Sequence, residues 1–496
     1  MQASDLIRRA ATHYDSAQLE HLRRAISVAE TAHGSQLRLS GEPYISHPLQ
    51  VADTLMEWGM DIDTILAGVL HDTLEDTQLT LLEIENEFGQ HVAFLVDGVT
   101  KLSKARSGMR DISSYLPQTR DNLSKLLIAI GRDIRVVIIK LADRLHNMQT
   151  LNYLPKEKQL KIARESLEVF APMADRMGMG RVRMQLEELA FAYIEPQQYA
   201  MLKKLMKDRL GKSHKKLVGV RHEVERALQQ QSINFAMDGR VKSIYSLHKK
   251  LAKVDGQIDN IYDMIALRVI VDSKEDCYQV LGVIHSLYQP MVARIKDYIA
   301  TPKPNGYQSL HTTVLTQKEQ IVEFQIRSKQ MHEYAERGLA AGFHYHEQKG
   351  SNAYRKGRSS ALPLPTKLQW ISRLQDVAVR LVRNEEIPID QLRLELFTDR
   401  IFVHSPKGDI YDLPEGAYPL DFAYLVHSDL AQRAHGFKVN GKMVAFDRAL
   451  QNGDVVEVIT RRNAQPKDDW LDLVKTTHAR EKLRAQLKKL QEKETV

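Results

Sequence analysis

Residues 71–77 read His71-Asp72-Thr73-Leu74-Glu75-Asp76-Thr77, a histidine and three acids in seven positions, directly after the apolar run 65–70. Adjacent His and Asp side chains at the end of a buried helix can both reach one cation. Acids about one turn further on lie close enough to handle a water or a proton. Two protein ligands rarely hold a catalytic metal, so other segments must supply more, and His47 and Asp143 are the candidates. With His71 and Asp72 they could close around a divalent cation whose remaining positions stay open to water and substrate phosphate. Imidazole with carboxylate suits manganese, iron or zinc. Glu75 and Asp76 would then orient or deprotonate the attacking water and protonate the leaving group. Asn147 shares a helix face with Asp143. Taken singly, each histidine reads equally well as a satisfied core residue and each acid as a cap or solvated side chain; the combination favours a site.

A second constellation begins at Gly239-Arg240-Val241-Lys242-Ser243-Ile244-Tyr245-Ser246-Leu247-His248-Lys249-Lys250. Cations at this spacing line one side of a helix and its preceding turn, an array able to neutralise a triphosphate, with Ser246 as a hydrogen-bond donor. Read alone it is one more basic helix face. Asp263, ahead of a strand, and Glu323, on the polar face of another, are the paired carboxylates that magnesium-assisted phosphoryl or pyrophosphoryl transfer needs. Between them, Pro302, Pro304 and Gly306 fix a loop in which Lys303 offers charge and Tyr307 a face for a base. No Walker-type glycine loop is present, so the nucleotide site is of another kind.

These groups need elements to hold them. From 6 to 196 apolar residues recur at three and four, which predicts helices, with a mobile loop at 103–119. A helix at 201–231 is followed by strand-like runs at 261–271, 309–315 and 320–327. In the last run Val322, Phe324 and Ile326 face a core, and Glu323, Gln325 and Arg327 form a polar working surface. A linker at 349–358 and a connector helix around 367–383 lead to a compact strand-rich module at 394–460. Its turns fall at 406–409, 440–441 and 452–454, the last two fitting hairpins. A charged helix, 473–496, follows.

At 496 residues the chain exceeds one core and predicts three or four domains. Its 43% apolar and 27% charged residues are those of a globular protein. The single cysteine, Cys277, excludes an internal disulfide framework and thiolate zinc clusters. A net charge of +7 favours polyanionic partners, nucleotides or RNA. No apolar run approaches the roughly 20 residues of a membrane helix, and the N-terminus lacks the order of a secretory signal, so a cytoplasmic protein without a membrane partner is expected.

Three strings, Gly41-Glu42-Pro43-Tyr44-Ile45-Ser46-His47-Pro48, the 71–77 stretch and Lys140-Leu141-Ala142-Asp143-Arg144-Leu145-His146-Asn147-Met148, resemble signatures of the hydrolase domain of RelA/SpoT-homologue proteins. Those belong to the His-Asp phosphohydrolase superfamily. The resemblance implies Mn2+ on His47, His71, Asp72 and Asp143, and Glu75 and Asp76 as catalytic acids. It also implies Arg38 and Asn147 on the nucleotide, and removal of the 3′-pyrophosphate of (p)ppGpp. Where the family commonly has a second cation after Arg38, this chain has Leu39.

The second constellation resembles the (p)ppGpp synthetase domain, similar in fold to nucleotidyltransferases. The resemblance implies transfer of the β,γ-pyrophosphate of ATP to the 3′-hydroxyl of GDP or GTP. Arg240 would stack on adenine, and Lys242, Ser246 and Lys250 would hold ATP phosphates. Asp263 would hold Mg2+, and Glu323 would act on the acceptor hydroxyl and help bind that metal. Tyr307 would stack on guanine, with Asn305, Gln325 and His311 completing the acceptor side. Two stretches depart from the family: Gln257-Ile258-Asp259-Asn260 replaces a charged motif, and Ala340-Ala341-Gly342-Phe343 stands where Ala-Ala-His-Trp is usual.

The 394–460 module resembles a TGS domain through Val403-His404-Ser405-Pro406-Lys407-Gly408-Asp409, Leu413-Pro414-Glu415-Gly416-Ala417 and Asp421-Phe422-Ala423-Tyr424. In related proteins this module reads the 3′ end of uncharged tRNA, and His427 matches the position implicated. The other reading is an intramolecular brake with His427 an ordinary surface residue. Asp469-Trp470-Leu471-Asp472-Leu473-Val474-Lys475-Thr476 resembles the start of the helical region of long members, and the chain then stops. It reads as a C-terminally shortened member, with no expectation of the ribosome-dependent control of long ones.

The expected architecture is multidomain α+β. An all-α His-Asp phosphohydrolase domain spans 1–196 and a mixed α/β nucleotidyltransferase-like synthetase domain 197–346. A linker and connector helix at 347–393, a β-grasp TGS domain at 394–461 and the start of a helical region at 462–496 follow. The expected function is a bifunctional (p)ppGpp synthetase and hydrolase, its sites coupled through helices at roughly 165–231. The alternatives are a hydrolase with a non-catalytic nucleotide-binding synthetase domain, and a catalytically silent RNA-binding regulator.

Overall fold

The computed structural model describes residues 1–108, 133–253, 265–303, 305–316, 321–340, 400–461 and 463–494. Asp263, the 257–260 stretch, the linker at 349–358 and the connector at 367–383 lie outside the described residues. The chain divides into two units, Met1–Asn384 and Glu385–Val496. The expected hydrolase and synthetase domains both fall in the first.

The helical part of this unit is built around the central helix Arg135–Gln149, in which every residue from Arg135 to Leu145 is buried. A helix apolar all round belongs inside a bundle. The polar groups it carries there must be paired, since an unpaired buried charge costs several kcal/mol. Arg135 meets Asp61 and Asp133, Lys140 meets Asp143, and Arg144 meets Glu165. Helices Ser46–Glu57, Ile62–Leu70 and Gln90–Gly108 pack round it. Ile62–Leu70 is capped by Asp61, whose carboxylate accepts from Thr64 N, and is buried from Thr64 to Leu70. Gly68 sets its approach to the preceding helix, since a Cβ there would lie 2.5 Å from Leu55 Cδ1. The 103–119 loop is corrected at its start: residues 103–108 continue the helix Gln90–Gly108, because the first proline after it is Pro117.

A five-residue π-helical turn, Ser166–Phe170, joins Lys156–Glu165 to Ala171–Arg176. There the Arg144 guanidinium lies 4.1 Å above the Phe170 ring. Gly180–Ile194 and the long helix Pro196–Gln230 lead into the sheet. The long helix serves both parts: Leu202 and Met206 pack with Phe191, Ile244 and Leu247, whereas Val224 and Leu228 pack into the core of the sheet.

That sheet runs β1-β2-β6-β5-β3, with β4 (Lys296–Asp297) pairing β5. Its strands are β1 (Phe235–Val241), β2 (Ile265–Val271), β3 (Gln289–Pro290), β5 (Leu310–Leu315) and β6 (Ile321–Ser328). Only β2 and β6 run parallel. One face carries Leu267, Val269, Val314, Val322, Phe324 and Ile326 onto the helix Lys274–Leu287. The opposite face carries the polar side chains expected, but under a cover. Gln325 is 6% exposed and Arg327 0%, because the helix Lys329–Arg337 turns back over β2 and β6 and the helix Gly180–Ile194 packs on it in turn. Gly338, at φ +59°, closes this joint; a Cβ there would run into the carbonyl oxygen of Met177.

In the second unit β7 (Arg400–His404) and β8 (Ile410–Pro414) form a hairpin across Ser405–Asp409, and Asn440-Gly441 joins β9 (Ala434–Val439) to β10 (Lys442–Val444). Asn440 and Gly441 take φ +53° and +78°, the backbone a two-residue type I′ hairpin requires. The expected hairpin at 452–454 is corrected. β11 (Val456–Thr460) pairs β9, and the turn bonds to β7 through Asn452 Oδ1 and Gly453 N. The helix Pro419–Val426 packs against β8 and β11, and buried Asp421 accepts from Lys475 N and Thr476 N at 2.9 and 2.7 Å. This anchor holds residues 475–476 ahead of the last helix, which starts at Thr477 rather than 473.

Candidate functional site

The four predicted ligands converge. His47 lies in the first turn of Ser46–Glu57, His71 and Asp72 follow the end of Ile62–Leu70, and Asp143 lies on the central helix. His47 Nε2 is 3.1 Å from Asp143 Oδ1 and 3.5 Å from Asp72 Oδ2. His71 Nε2 is 3.1 Å from Asp72 Oδ1 and 3.9 Å from Asp143 Oδ1. One ligand atom from each of His47, His71 and Asp143 lies within 4.8 Å of the others. Neighbouring ligands about 2.1 Å from one cation stand roughly 3 Å apart, so the set fits a divalent ion with little movement.

Two further observations test the fit. His71 Nδ1 lies 2.8 Å from the carbonyl of Gly68, to which it donates, so Nε2 is the nitrogen that faces the carboxylates. A backbone carbonyl behind a ligating imidazole is the usual arrangement at metal sites. The electrostatics also demand positive charge at this point. Burial works against a charged His71, but the carboxylates of Asp72 and Asp143 outweigh it and push its pKa up to about 9. Burial likewise opposes ionisation of Asp143, and Lys140 with His47 holds it well below the usual carboxylate range all the same. A bound divalent cation supplies the charge that the proton on His71 otherwise provides.

Glu75 and Asp76 sit exposed on the one-turn helix Thr73–Asp76 at the rim. Beside them opens a cleft of about 350 Å³ lined by Arg38, Leu39, Tyr44, Arg144, Asn147 and Tyr153, among others. That volume suits a nucleoside. Arg38 reaches Asn147 Oδ1 at 3.3 Å, so the two predicted nucleotide contacts stand together. Sequence reasoning assigned no role to three residues here. Lys140 Nζ lies 2.5 Å from Asp143 Oδ2. His146 stacks on His47 and shares a 2.7 Å hydrogen bond with its Nδ1. Burial, then the charges of His47 and Arg38, pull the His146 pKa down to about 3, so it is a neutral partner. Tyr44 is the third.

On the roofed face of the sheet a connected network joins most of the second constellation. Glu323 receives Lys242 Nζ at 3.3 Å, His311 Nδ1 at 3.3 Å and Gln325 Nε2 at 3.2 Å. Gln325 Oε1 accepts from Arg240 at 3.2 Å, and Tyr307 OH lies 2.9 Å from His311 Nε2. Lys303 Nζ sits over the Tyr298 and Tyr307 rings. Burial opposes a charged Glu323, but His311, Lys242 and Gln325 together hold it down to about 2. Ser246 and Lys250 are on the helix Ile244–Lys253, where the Ser246 hydroxyl shares a hydrogen bond with Ser243. Asn305 bonds to Asp175 Oδ1 at 3.3 Å and holds Tyr307 N through its own Oδ1. Arg268, bonded to Asp238 and Glu336, adds a cation to this face that was unassigned inside an apolar strand pattern. In the second unit His427 is 68% exposed in its side chain, and its Nδ1 accepts from Asp429 N.

Among the described residues no helix is long and apolar enough to cross a membrane. Three family models match the chain: HD domain at residues 25–180, the region found in RelA / SpoT proteins at 239–350, and TGS domain at 401–460. The chain is 42% identical to a probable GTP pyrophosphokinase of Mycobacterium leprae, over 95% of this chain and 59% of that one. It is 41% identical to a probable guanosine-3′,5′-bis(diphosphate) 3′-pyrophosphohydrolase of Synechocystis, over 95% and 61%. It is 42% identical to a protein of Mycobacterium tuberculosis named bifunctional (p)ppGpp synthase/hydrolase RelA, over 95% and 63%. The chain thus spans about three-fifths of the length of these relatives.

Proposed function

The chain belongs to the RelA/SpoT-homologue family, and from that membership we propose that it is a bifunctional cytoplasmic alarmone enzyme of the stringent response. One module, at 197–346, transfers pyrophosphate from ATP to the 3′-hydroxyl of GDP or GTP. The other, at 1–196, hydrolyses (p)ppGpp to GDP or GTP and pyrophosphate. The observation that carries the hydrolase half is the buried ligand set opening beside a nucleoside-sized cleft that Arg38 and Asn147 reach.

In this reading His47, His71, Asp72 and Asp143 hold Mn2+, which supplies Lewis acidity and an acidified water. Arg38 and Asn147 fix the nucleotide, and Glu75 and Asp76 orient the water and protonate the leaving oxygen. In the synthetase, Arg240 stacks on adenine, Lys242, Ser246 and Lys250 hold the donor phosphates, and Lys303 offers charge beside Tyr307. Tyr307 stacks on guanine, and Asn305, His311 and Gln325 complete the acceptor side. Asp263 and Glu323 hold Mg2+. Glu323 takes the proton of the 3′-hydroxyl only after Lys242 turns to ATP and His311 to the acceptor, because at about 2 it is too weak a base.

Purified protein with Mn2+ releases pyrophosphate from ppGpp, and Asp72→Asn abolishes the release; equal rates, or none in wild type, refute the hydrolase. ATP and GDP with Mg2+ yield ppGpp, and Glu323→Gln abolishes it; guanine-nucleotide binding without turnover returns the synthetase to a regulatory role. The contact of Asp175 with Asn305 supports coupling between the sites, so analogues for the two should antagonise one another's binding. The exposure of His427 supports its proposed contact with the 3′ end of uncharged tRNA.

A further inference from the structure

Tyr44 lines the cleft, but its hydroxyl is turned to two carboxyl groups of the hydrolase site. It follows a short hairpin in which Leu37 bridges Pro43, and its own N–H bonds to the carbonyl of Gln36. Its ring stacks on buried His33, centroids 4.6 Å apart. Its hydroxyl stands 3.0 Å from Asp72 Oδ2 and 2.7 Å from Asp76 Oδ2. Gln36 closes the circle: its Oε1 lies 3.0 Å from His33 Nδ1, and its Nε2 donates to the carbonyl of Asp76 at 2.9 Å.

Asp76 needs such an anchor. It ends a helix of four residues, too short to hold itself in water, and the helix lies at the exposed rim of the site. Asp72 needs one too: it is a ligand candidate with two oxygens to orient, and at the cluster it lies against the imidazoles of His47 and His71. A single phenol between the two carboxyl groups fixes both.

We propose that Tyr44 is a positioning residue of the hydrolase, its hydroxyl tying the acid Asp76 to the ligand carboxylate Asp72 so that proton donor and metal keep a fixed separation. This rests on the hydrolase reading above. Tyr44→Phe keeps the ring on His33 and removes only the hydroxyl. Mn2+ binding, followed by titration calorimetry, should weaken about tenfold, the usual loss when a partner behind a metal ligand is removed. At saturating Mn2+ the kcat for ppGpp should still fall tenfold or more, with KM within twofold of wild type and an unchanged melting temperature. Unchanged Mn2+ affinity, or an unchanged kcat at saturating metal, overturns the proposal. So does a loss carried by KM alone. A wild type that hydrolyses nothing refutes the hydrolase reading instead, and the Mn2+ affinities then decide on Tyr44 by themselves.

Discussion

Lys140→Met isolates the charge balance on which the metal centre rests. Lys140 is 4% exposed and Asp143 2%, and their charged atoms lie 2.5 Å apart. Removing one partner of a buried ion pair leaves the other uncompensated, at a cost of about 3–5 kcal/mol. Here Asn147, which donates to Asp143 Oδ1 at 2.5 Å, and His47 remain, so the lower end of about 3 kcal/mol applies to the metal-free protein. The size should change when Mn2+ is bound. A cation held by the set would neutralise Asp143 in its turn, and the missing ammonium would no longer repel it; a unit charge removed from roughly 5 Å of a divalent ion is worth about 6–7 kcal/mol at an effective dielectric of 20, enough to offset the lost ion pair. Because Asn147 still orients the carboxylate, little of this is lost to disorder. Urea unfolding of the helical part, with and without saturating Mn2+, should show the variant destabilised by about 3 kcal/mol in chelator and by less than about 1.5 with metal. A penalty of equal size in both conditions, or none in chelator, refutes the reasoning.

Gly68→Ala should destabilise by about 1–3 kcal/mol and weaken Mn2+ binding, because the new methyl must displace Leu55 and with it the helix end that presents His71; unchanged calorimetric affinity contradicts this. Phe324→Ala, emptying the core beneath β6, should cost about 3–5 kcal/mol in urea and abolish ppGpp synthesis while Mn2+-dependent hydrolysis persists. Glu323 is held to about 2 against a usual 4.5, so its contribution to stability is complete above pH 4.5 and is lost as pH falls through about 2. The stability gap between wild type and Glu323→Gln should therefore narrow on acidification from pH 5 to pH 2, and a gap independent of pH contradicts the assignment. His427→Ala should weaken binding of uncharged tRNA at least tenfold in a filter assay without shifting the melting temperature; unaltered binding removes the residue from that role.

The meeting of His47, His71, Asp72 and Asp143 was legible because each sits in a short string whose residue types already restrict the chemistry, and each string falls on or beside a helix that periodicity predicts. The partners behind the ligands were not. Tyr44 reaches Asp72 across 28 positions and His146 reaches His47 across 99, and no local pattern announces either meeting. Alternation in 321–327 correctly separated two faces of β6, yet it could not foresee the helix Lys329–Arg337 turning back to cover Gln325 and Arg327. Turn chemistry failed in the same way at Asn452-Gly453. A turn is written locally, but which strand it serves is decided by pairing, and here the turn bonds to β7. Arg268 was hidden because one cation in an apolar run reads as a strand edge until the register with Asp238 places it over the site.

The joint at Gly338 has a practical side. The carbonyl of Met177 accepts from Leu339 N, and Asp175 receives both Arg183 and the side chain of Asn305, the residue that holds the backbone of Tyr307. A fragment begun at 197 would leave behind the Asp175 carboxylate that bonds Asn305 and the Met177 turn on which the helix Lys329–Arg337 closes.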